Sequence, residues 1–305
     1  MAIFFTLFIK LIPLYGLILL GFIVGRLFKK LKEPIAKLVI YIIAPVVIFT
    51  GVATTRISFS TISIPILFFS ICAFISLSIY YLSGFVWKDS TRNTLAFIAG
   101  TANTGYFGIP VAAAIFGNEA IGIVALALLG TTLFMNSFGI FLAARGRYTV
   151  KESLLRVLQI PILYAFLLGM EVNVLGIQLG KLYFDIAGVF NAAFIFFGMM
   201  IIGLGLADIK KFTFDFKFVG MSFFASFILW PLVALTLILI DNYTFHIYDA
   251  NLRRIIMLLS ILPVATNVVP YTTILKTQSE KVALVVFLST LFALFYIPLL
   301  TAVFF

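Results

Sequence analysis

Two short stretches of otherwise apolar sequence carry side chains and backbone irregularities that could bind a solute. One reads Thr101-Ala-Asn-Thr-Gly-Tyr-Phe-Gly-Ile-Pro110, continuing to Gly117, and the other Leu262-Pro-Val-Ala-Thr-Asn-Val-Val-Pro270, continuing to Leu275. Each sets Asn and Thr shortly before a proline. A proline inside a helix removes one donor and clashes with the carbonyl four residues back, and Gly105 and Gly108 lower helix propensity further, so a break is expected in each helix. In lipid a break is tolerated only where it is buried in protein or lines a cavity. With Pro110 and Pro270 in the first turn of a resumed helix, the amides that follow them are expected to point a positive helix end into the gap, which favours an anion. The candidate substrate-binding residues are therefore Asn103, Thr104, Gly105, Gly108, Pro110, Thr266, Asn267 and Pro270. Asn136 and Asn191, lone amides in apolar stretches, form a second rank, since interhelical hydrogen bonding explains them equally well.

The elements that must position these residues follow from composition. The 305 residues are 63% hydrophobic and 10% charged, with a mean hydropathy of +1.22, which excludes a soluble fold. Long apolar runs without period-two alternation mean membrane-spanning helices rather than a barrel. Polar, glycine and charge clusters divide the chain into about ten segments: 4–28, 34–55, 61–87, 93–116, 119–144, 154–176, 184–207, 214–240, 252–275 and 282–304. The two candidate stretches fall in the fourth and the ninth. The first segment lacks a small-residue cleavage site and its basic cluster follows the apolar run, so it reads as a retained helix. Cys72 is the only cysteine, which excludes an intrachain disulfide.

A net charge of +10 invites a nucleic-acid partner, but the charges record topology instead. Arg26, Lys29, Lys30, Lys32 and Lys37 fall between the first and second segments, Lys88 and Arg92 between the third and fourth, and Arg145, Arg147, Lys151 and Arg156 between the fifth and sixth. Lys210, Lys211 and Lys217 precede the eighth, and Lys276 and Lys281 the tenth. The alternate connections are nearly free of Lys and Arg. By the positive-inside rule the basic set is cytoplasmic, which expects a plasma (inner) membrane protein with both termini extracytoplasmic and no nucleic-acid role.

Five helices per half give halves of opposite orientation, here 1–150 and 151–305. Two echoes support an inverted repeat: Pro13-Leu-Tyr-Gly-Leu-Ile-Leu-Leu-Gly21 matches the spacing of Pro161-Ile-Leu-Tyr-Ala-Phe-Leu-Leu-Gly169, and the two Asn/Thr–Pro stretches occupy equivalent helices. Crossed at mid-depth, those helices would pool their polar groups in one small cavity. No Asp or Glu sits at the centre of a predicted helix, which disfavours a cation carrier, and there is neither a P-loop nor a nucleophile–base set, so an enzyme is not expected.

Asn103-Thr-Gly-Tyr-Phe-Gly-Ile-Pro110 with Ala112 through Gly117 resembles the fourth-helix signature of the auxin efflux carrier family. Ala44-Pro45 with Phe49, Gln159-Ile-Pro161 through Gly169, and Pro263 through Pro270 support the likeness over the full length. The short connection around Arg145 to Lys151 is similar to that of the compact prokaryotic members, and Asn191-Ala-Ala stands where members often carry a proline. The resemblance implies two inverted five-helix repeats whose broken crossover helices, the fourth and ninth, meet at the substrate site. It further implies small organic anions such as auxin, malate, malonate or lactate as substrates, elevator-like alternating access, and a homodimer. The combined expectation is a secondary transporter of a small carboxylate in the lipid bilayer, an efflux carrier with no cofactor and with H+ or Na+ as coupling ion. An anion-conducting channel and a non-transporting membrane sensor are the alternatives from other classes.

Overall fold

The computed structural model describes residues 2–28, 31–56, 58–144, 158–159, 161–207 and 214–304. The helices are α1 (Ala2–Leu27), α2 (Lys32–Leu38), α3 (Ala44–Thr54), α4 (Phe59–Ser83), α5 (Thr91–Ala99), α6 (Ile109–Phe116), α7 (Ala120–Phe134), α8 (Ile140–Ala143), α9 (Pro161–Val174), α10 (Lys181–Ala207), α11 (Phe216–Phe224), α12 (Trp230–Ile240), α13 (Ala250–Ser260), α14 (Val268–Ile274) and α15 (Ser279–Phe304). Among the described residues, seven spans are long and apolar enough to cross a membrane, while Thr104–Phe116 and Pro161–Val174 are shorter apolar helices. The all-helical membrane class expected from composition is the one observed. The basic residues at 29–30, 145–151, 156 and 210–211 lie outside the described residues.

Several spans stay continuous through π-helical turns: Val39–Ile43 joins α2 to α3, Thr104–Gly108 leads into α6, Met135–Gly139 joins α7 to α8, and Ala225–Leu229 joins α11 to α12. Three of these turns stand directly ahead of a proline at the second position of the next helix, namely Pro45, Pro110 and Pro231. A π turn widens the helix where the proline lacks its donor and its ring would meet the preceding carbonyl, so the helix passes through the proline instead of stopping there. Side-chain caps fix other starts: Ser58 and Thr61 form a reciprocal capping box on α4, Asp215 accepts from Phe218 N–H at 3.1 Å, and Asp249 accepts from Leu252 N–H at 2.8 Å.

Helix packing relies on close backbone approach, as expected where lipid removes the hydrophobic drive between helices. α1 lies against α10, and a Cβ at Gly21 would stand 2.1 Å from Met200 O, one at Gly203 1.9 Å from Ile18 O. α3 lies against α9, whose Asn173 Nδ2 sits 2.8, 2.9 and 2.7 Å from the carbonyls of Val52, Ala53 and Thr55 at the end of α3. These contacts sort the chain ends of the spans. At one end Gly25 meets Ala207, Asn93 Nδ2 donates to Leu142 O at 2.9 Å, and Lys281 Nζ donates to Asp215 Oδ2 at 2.8 Å. At the other, Thr50 and Tyr183 share a hydroxyl bond of 2.6 Å and Ser63 and Tyr248 one of 2.9 Å. The first of these is the basic end of the bundle, where Arg26, Lys37, Lys88, Arg92, Lys276 and Lys281 gather.

Candidate substrate site

Two interruptions meet inside the bundle. α5 stops at Ala99 and regular structure resumes at Thr104, while α13 stops at Ser260 and α14 begins at Val268. The intervening strands of chain run antiparallel, pairing Ala102 with Val264, and Asn103 N–H donates to Pro263 O at 2.9 Å. The Asn103 side chain adds a second link, with Nδ2 donating to Thr266 Oγ1 at 2.9 Å. Both residues are buried.

Breaking a helix in a buried place frees polar backbone groups that must find partners. Side chains supply several, some from other helices and some from the interrupted segments themselves. Ser76 Oγ donates to Ala96 O at 2.8 Å, Trp230 Nε1 to Ala99 O at 2.8 Å, and Thr101 Oγ1 to Ile98 O at 2.7 Å. On the second interruption Val264 N–H donates to Ser289 Oγ at 3.3 Å, and Ser260 Oγ to Met257 O at 2.7 Å. The breaks are thus built features with their own hydrogen-bond complement.

A cavity toward the basic end adjoins the crossing and has two lobes, which share Ile40, Tyr106, Asn267 and Tyr271. The first lobe, about 340 Å³, is lined by Thr101, Asn103, Thr104, Gly105, Thr131, Thr132, Asn136 and Gln159 among others. The second, about 360 Å³, is lined chiefly by apolar residues of α10, α14 and α15. Among the described residues, neither lobe is lined by Lys, Arg, His, Asp or Glu. A solute there meets amides, hydroxyls and the amino end of the Thr104–Phe116 helix, the end at which a helix carries partial positive charge.

Of the residues expected from sequence, Asn103, Thr104, Gly105, Asn136 and Asn267 line the first lobe, and Thr266, Asn267 and Pro270 line the second. Asn136 is held in the π turn after α7: its Nδ2 donates to Thr132 O at 2.9 Å and its Oδ1 accepts from Tyr271 OH at 2.5 Å. Pro110 and Gly108 are buried away from both lobes, and a Cβ at Gly108 would stand 2.9 Å from Leu262 Cδ1. The expected position of the helix start is corrected accordingly. The π turn lets the helix begin at Thr104, so the amides beside the gap precede Pro110 instead of following it. Pro270 does lie in the first turn of α14, but that helix has only seven residues and its summed dipole is correspondingly small.

Asn191 lies elsewhere. It lines a third cavity, about 800 Å³, at the opposite end of the bundle with Thr50, Arg56, Asn118, Glu119 and Asp249, and its Oδ1 is buried with no hydrogen-bond partner. On α10 Asn191 is only three positions from Phe194 of the first lobe, about 4.5 Å of helix rise. Phe194 is buried, with its ring centroid 6.3 Å from that of Tyr106, so this aromatic pair stands between the two cavities. Tyr106, Thr131, Thr132, Gln159 and Tyr271 line the first lobe without having been expected there from the sequence. The helical spacing of Thr132 and Asn136 is the one signal that could have found any of them.

Residues 6–154 match the family described as Membrane transport protein, and residues 190–305 match the Sodium Bile acid symporter family. An uncharacterized transporter of Methanothermobacter thermautotrophicus is 31% identical over 220 residues, covering 68% of this chain and 67% of the relative. The chain belongs to the auxin efflux carrier family of membrane transport proteins. An uncharacterized transporter of Methanocaldococcus jannaschii is 26% identical over 297 residues, covering 93% of this chain and 94% of the relative. As an auxin efflux carrier family member the chain is an integral membrane protein and a membrane transporter.

Proposed function

We propose that this protein is a secondary carrier that moves a small carboxylate across the plasma membrane by alternating access. The observation that carries the proposal is the crossing itself: Asn103 joins two helix interruptions at a lobe furnished with amides, hydroxyls and a helix amino end and, among the described residues, no carboxylate. Neutral donors of this kind suit one carboxylate group, with Asn103 and Asn267 as its side-chain contacts and H+ or Na+ as the coupling ion.

The positive-inside rule assigns the basic end to the cytoplasm, so both termini are extracytoplasmic and the two-lobed cavity faces inward. The third cavity then faces outward, and Asn191 is a contact of the outward-facing state. All three cavities follow one seam, with α2, α3 and α10 on one side and the interrupted helices with α7 on the other. Sliding the second group along the first would close one entrance and open the other around the Tyr106–Phe194 pair, which is an elevator-like movement. Two inverted halves, 1–150 and 151–305, fit the packing: exchanging the halves converts the α1–α10 contact into the α9–α3 contact. A homodimer built on the less mobile group completes the reading.

Counterflow in proteoliposomes tests this. Purified protein preloaded with an unlabelled monocarboxylate or dicarboxylate should accumulate the labelled one, and Asn103→Ala should cut the initial rate at least tenfold while remaining monodisperse. Absence of exchange with every carboxylate, or wild-type rates in the variant, would remove the proposal.

A further inference from the structure

The geometry points to Tyr15 as the catch of the inward-facing state, a residue that sets the balance between the two transport states while lining neither lobe. The role rests on the alternating-access reading above. Interhelical hydrogen bonds fall into two groups along the seam. Thr50 to Tyr183, and Asn173 to the end of α3, lie within the group that holds α3, α9 and α10. Asn103 to Thr266, Trp230 to Ala99 and Ser289 to Val264 lie within the group that carries the two interruptions. α1 joins the first group through its close backbone approach to α10, and α15 joins the second through Ser289. Tyr15 OH donates to Thr290 O at 3.0 Å, from α1 to α15, and so bridges the seam. Its ring also packs edge-on to Phe107 in the π turn ahead of Pro110, with centroids 5.9 Å apart.

A bond across a sliding surface biases the equilibrium when one state makes it and the other does not. α15 runs from Ser279 at the basic end to Phe304 at the other. Moving the second group outward by one helical turn, about 5.4 Å, therefore brings the carbonyl four positions earlier, that of Val286, opposite Tyr15. That carbonyl is already occupied, because Thr290 Oγ1 donates to it at 2.7 Å and Ser289 Oγ at 3.1 Å, in addition to the N–H of its own helix. A carbonyl oxygen has two lone pairs, so the phenol meets no open acceptor one turn along. The bond is made in the inward-facing state and lost in the outward-facing one. Tyr15 thus supplies the differential contact that a two-state carrier needs, at a distance from its solute.

Double electron–electron resonance on the purified full chain tests this, with spin labels at Val174→Cys and Lys217→Cys. Cys72 is buried and does not compete for the label. Val174 is exposed at the outer end of α9, and Lys217 is exposed near the start of α11 at the basic end, in the other group. An outward slide of the second group therefore shortens their separation by nearly its full length. We expect a long and a short distance in the labelled protein, and a ratio of short to long that rises about three- to tenfold in Tyr15→Phe, the worth of one net hydrogen bond. Tyr296→Phe is the control, because it removes a phenol bond to Phe227 O inside the second group and should leave the ratio within about twofold. A ratio unchanged by Tyr15→Phe, or moved equally by Tyr296→Phe, overturns the role of Tyr15. A single distance in all three proteins means that the groups do not slide, and the alternating-access reading has then failed instead.

Discussion

The indole Nε1 of Trp230 donates to the carbonyl of Ala99 at 2.8 Å, across 131 residues of sequence. Ala99 is the last residue of α5, and its carbonyl loses its helical acceptor role because the chain turns aside before Thr104. Trp230 sits at the start of α12, just after a π turn, and is almost fully buried. The interruption that forms the site is therefore supported from a helix that contributes nothing to either lobe.

Trp230→Phe should lower thermal stability, because it keeps most of the ring but leaves a buried carbonyl unpaired. That loss is expected to be about 1–3 kcal/mol. Trp87→Phe, in the turn after α4 where the indole is partly buried against the core, is the control for the loss of indole area. Heating in detergent followed by size-exclusion chromatography should show the first variant aggregating several degrees below the second. Coincident curves would mean that the bond does not support the interruption.

The sequence made the crossing legible because amides and hydroxyls are rare inside apolar helices. Asn103, Thr104, Thr266 and Asn267 announce themselves against that background. The same signal could not separate Asn136 from Asn191, since which side of the Tyr106–Phe194 barrier a residue occupies depends on how α7 and α10 pack. Pro110 misled for a local reason: a π turn relieves the clash that would otherwise stop the helix, and nothing in residue type distinguishes a relieved proline from a breaking one. Trp230 and Tyr271 act through partners more than 100 residues away, which only the folded chain brings together.

Tyr271 OH holds Asn136, and the pair spans the wall between α14 and the π turn after α7. Tyr271→Phe removes that bond and keeps the ring, so substrate affinity should fall about three- to tenfold, the equivalent of one net hydrogen bond. Asn136→Ala should cost a similar amount. Because both variants break one link, the double variant should be little worse than either. Simple multiplication of the two losses would show that the residues act independently.

Two glycines of the packed helices α1 and α10 offer a matched pair. A Cβ at Gly203 would stand 1.9 Å from Ile18 O on α1, whereas a Cβ at Gly16 meets nothing within 4 Å. Gly203→Ala must push two backbones apart and should destabilise by at least the roughly 1–3 kcal/mol typical of overpacking. Gly16→Ala only improves helix propensity and should be neutral or stabilising by about 0.5–1 kcal/mol. Melting temperatures of the two variants in one detergent, moving in opposite directions, are the expected result.

Asp215 makes stability at the basic end depend on pH. It lies just outside the span that begins at Phe216, accepts from Lys281 Nζ, and caps α11 through Phe218 N–H. The Lys281 ammonium holds its carboxyl below the ordinary carboxylate range, with the cap bond acting the same way and partial burial opposing both. A carboxyl lowered in the folded state stabilises that state at pH values above its unfolded pKa of about 4, and the contribution disappears as pH falls through the lower folded value. Both groups keep about a quarter of their side chains exposed, at 26% for Asp215 and 21% for Lys281, so solvent screening keeps the effect modest. Asp215→Asn removes the charge and retains an oxygen to cap the helix. The melting temperature of the natural protein should exceed that of Asp215→Asn by a constant margin from neutral pH down to about pH 5, and the two curves should converge in more acid solution. A margin that persists unchanged into acid would mean that Asp215 acts through its shape and cap bond rather than through the ion pair.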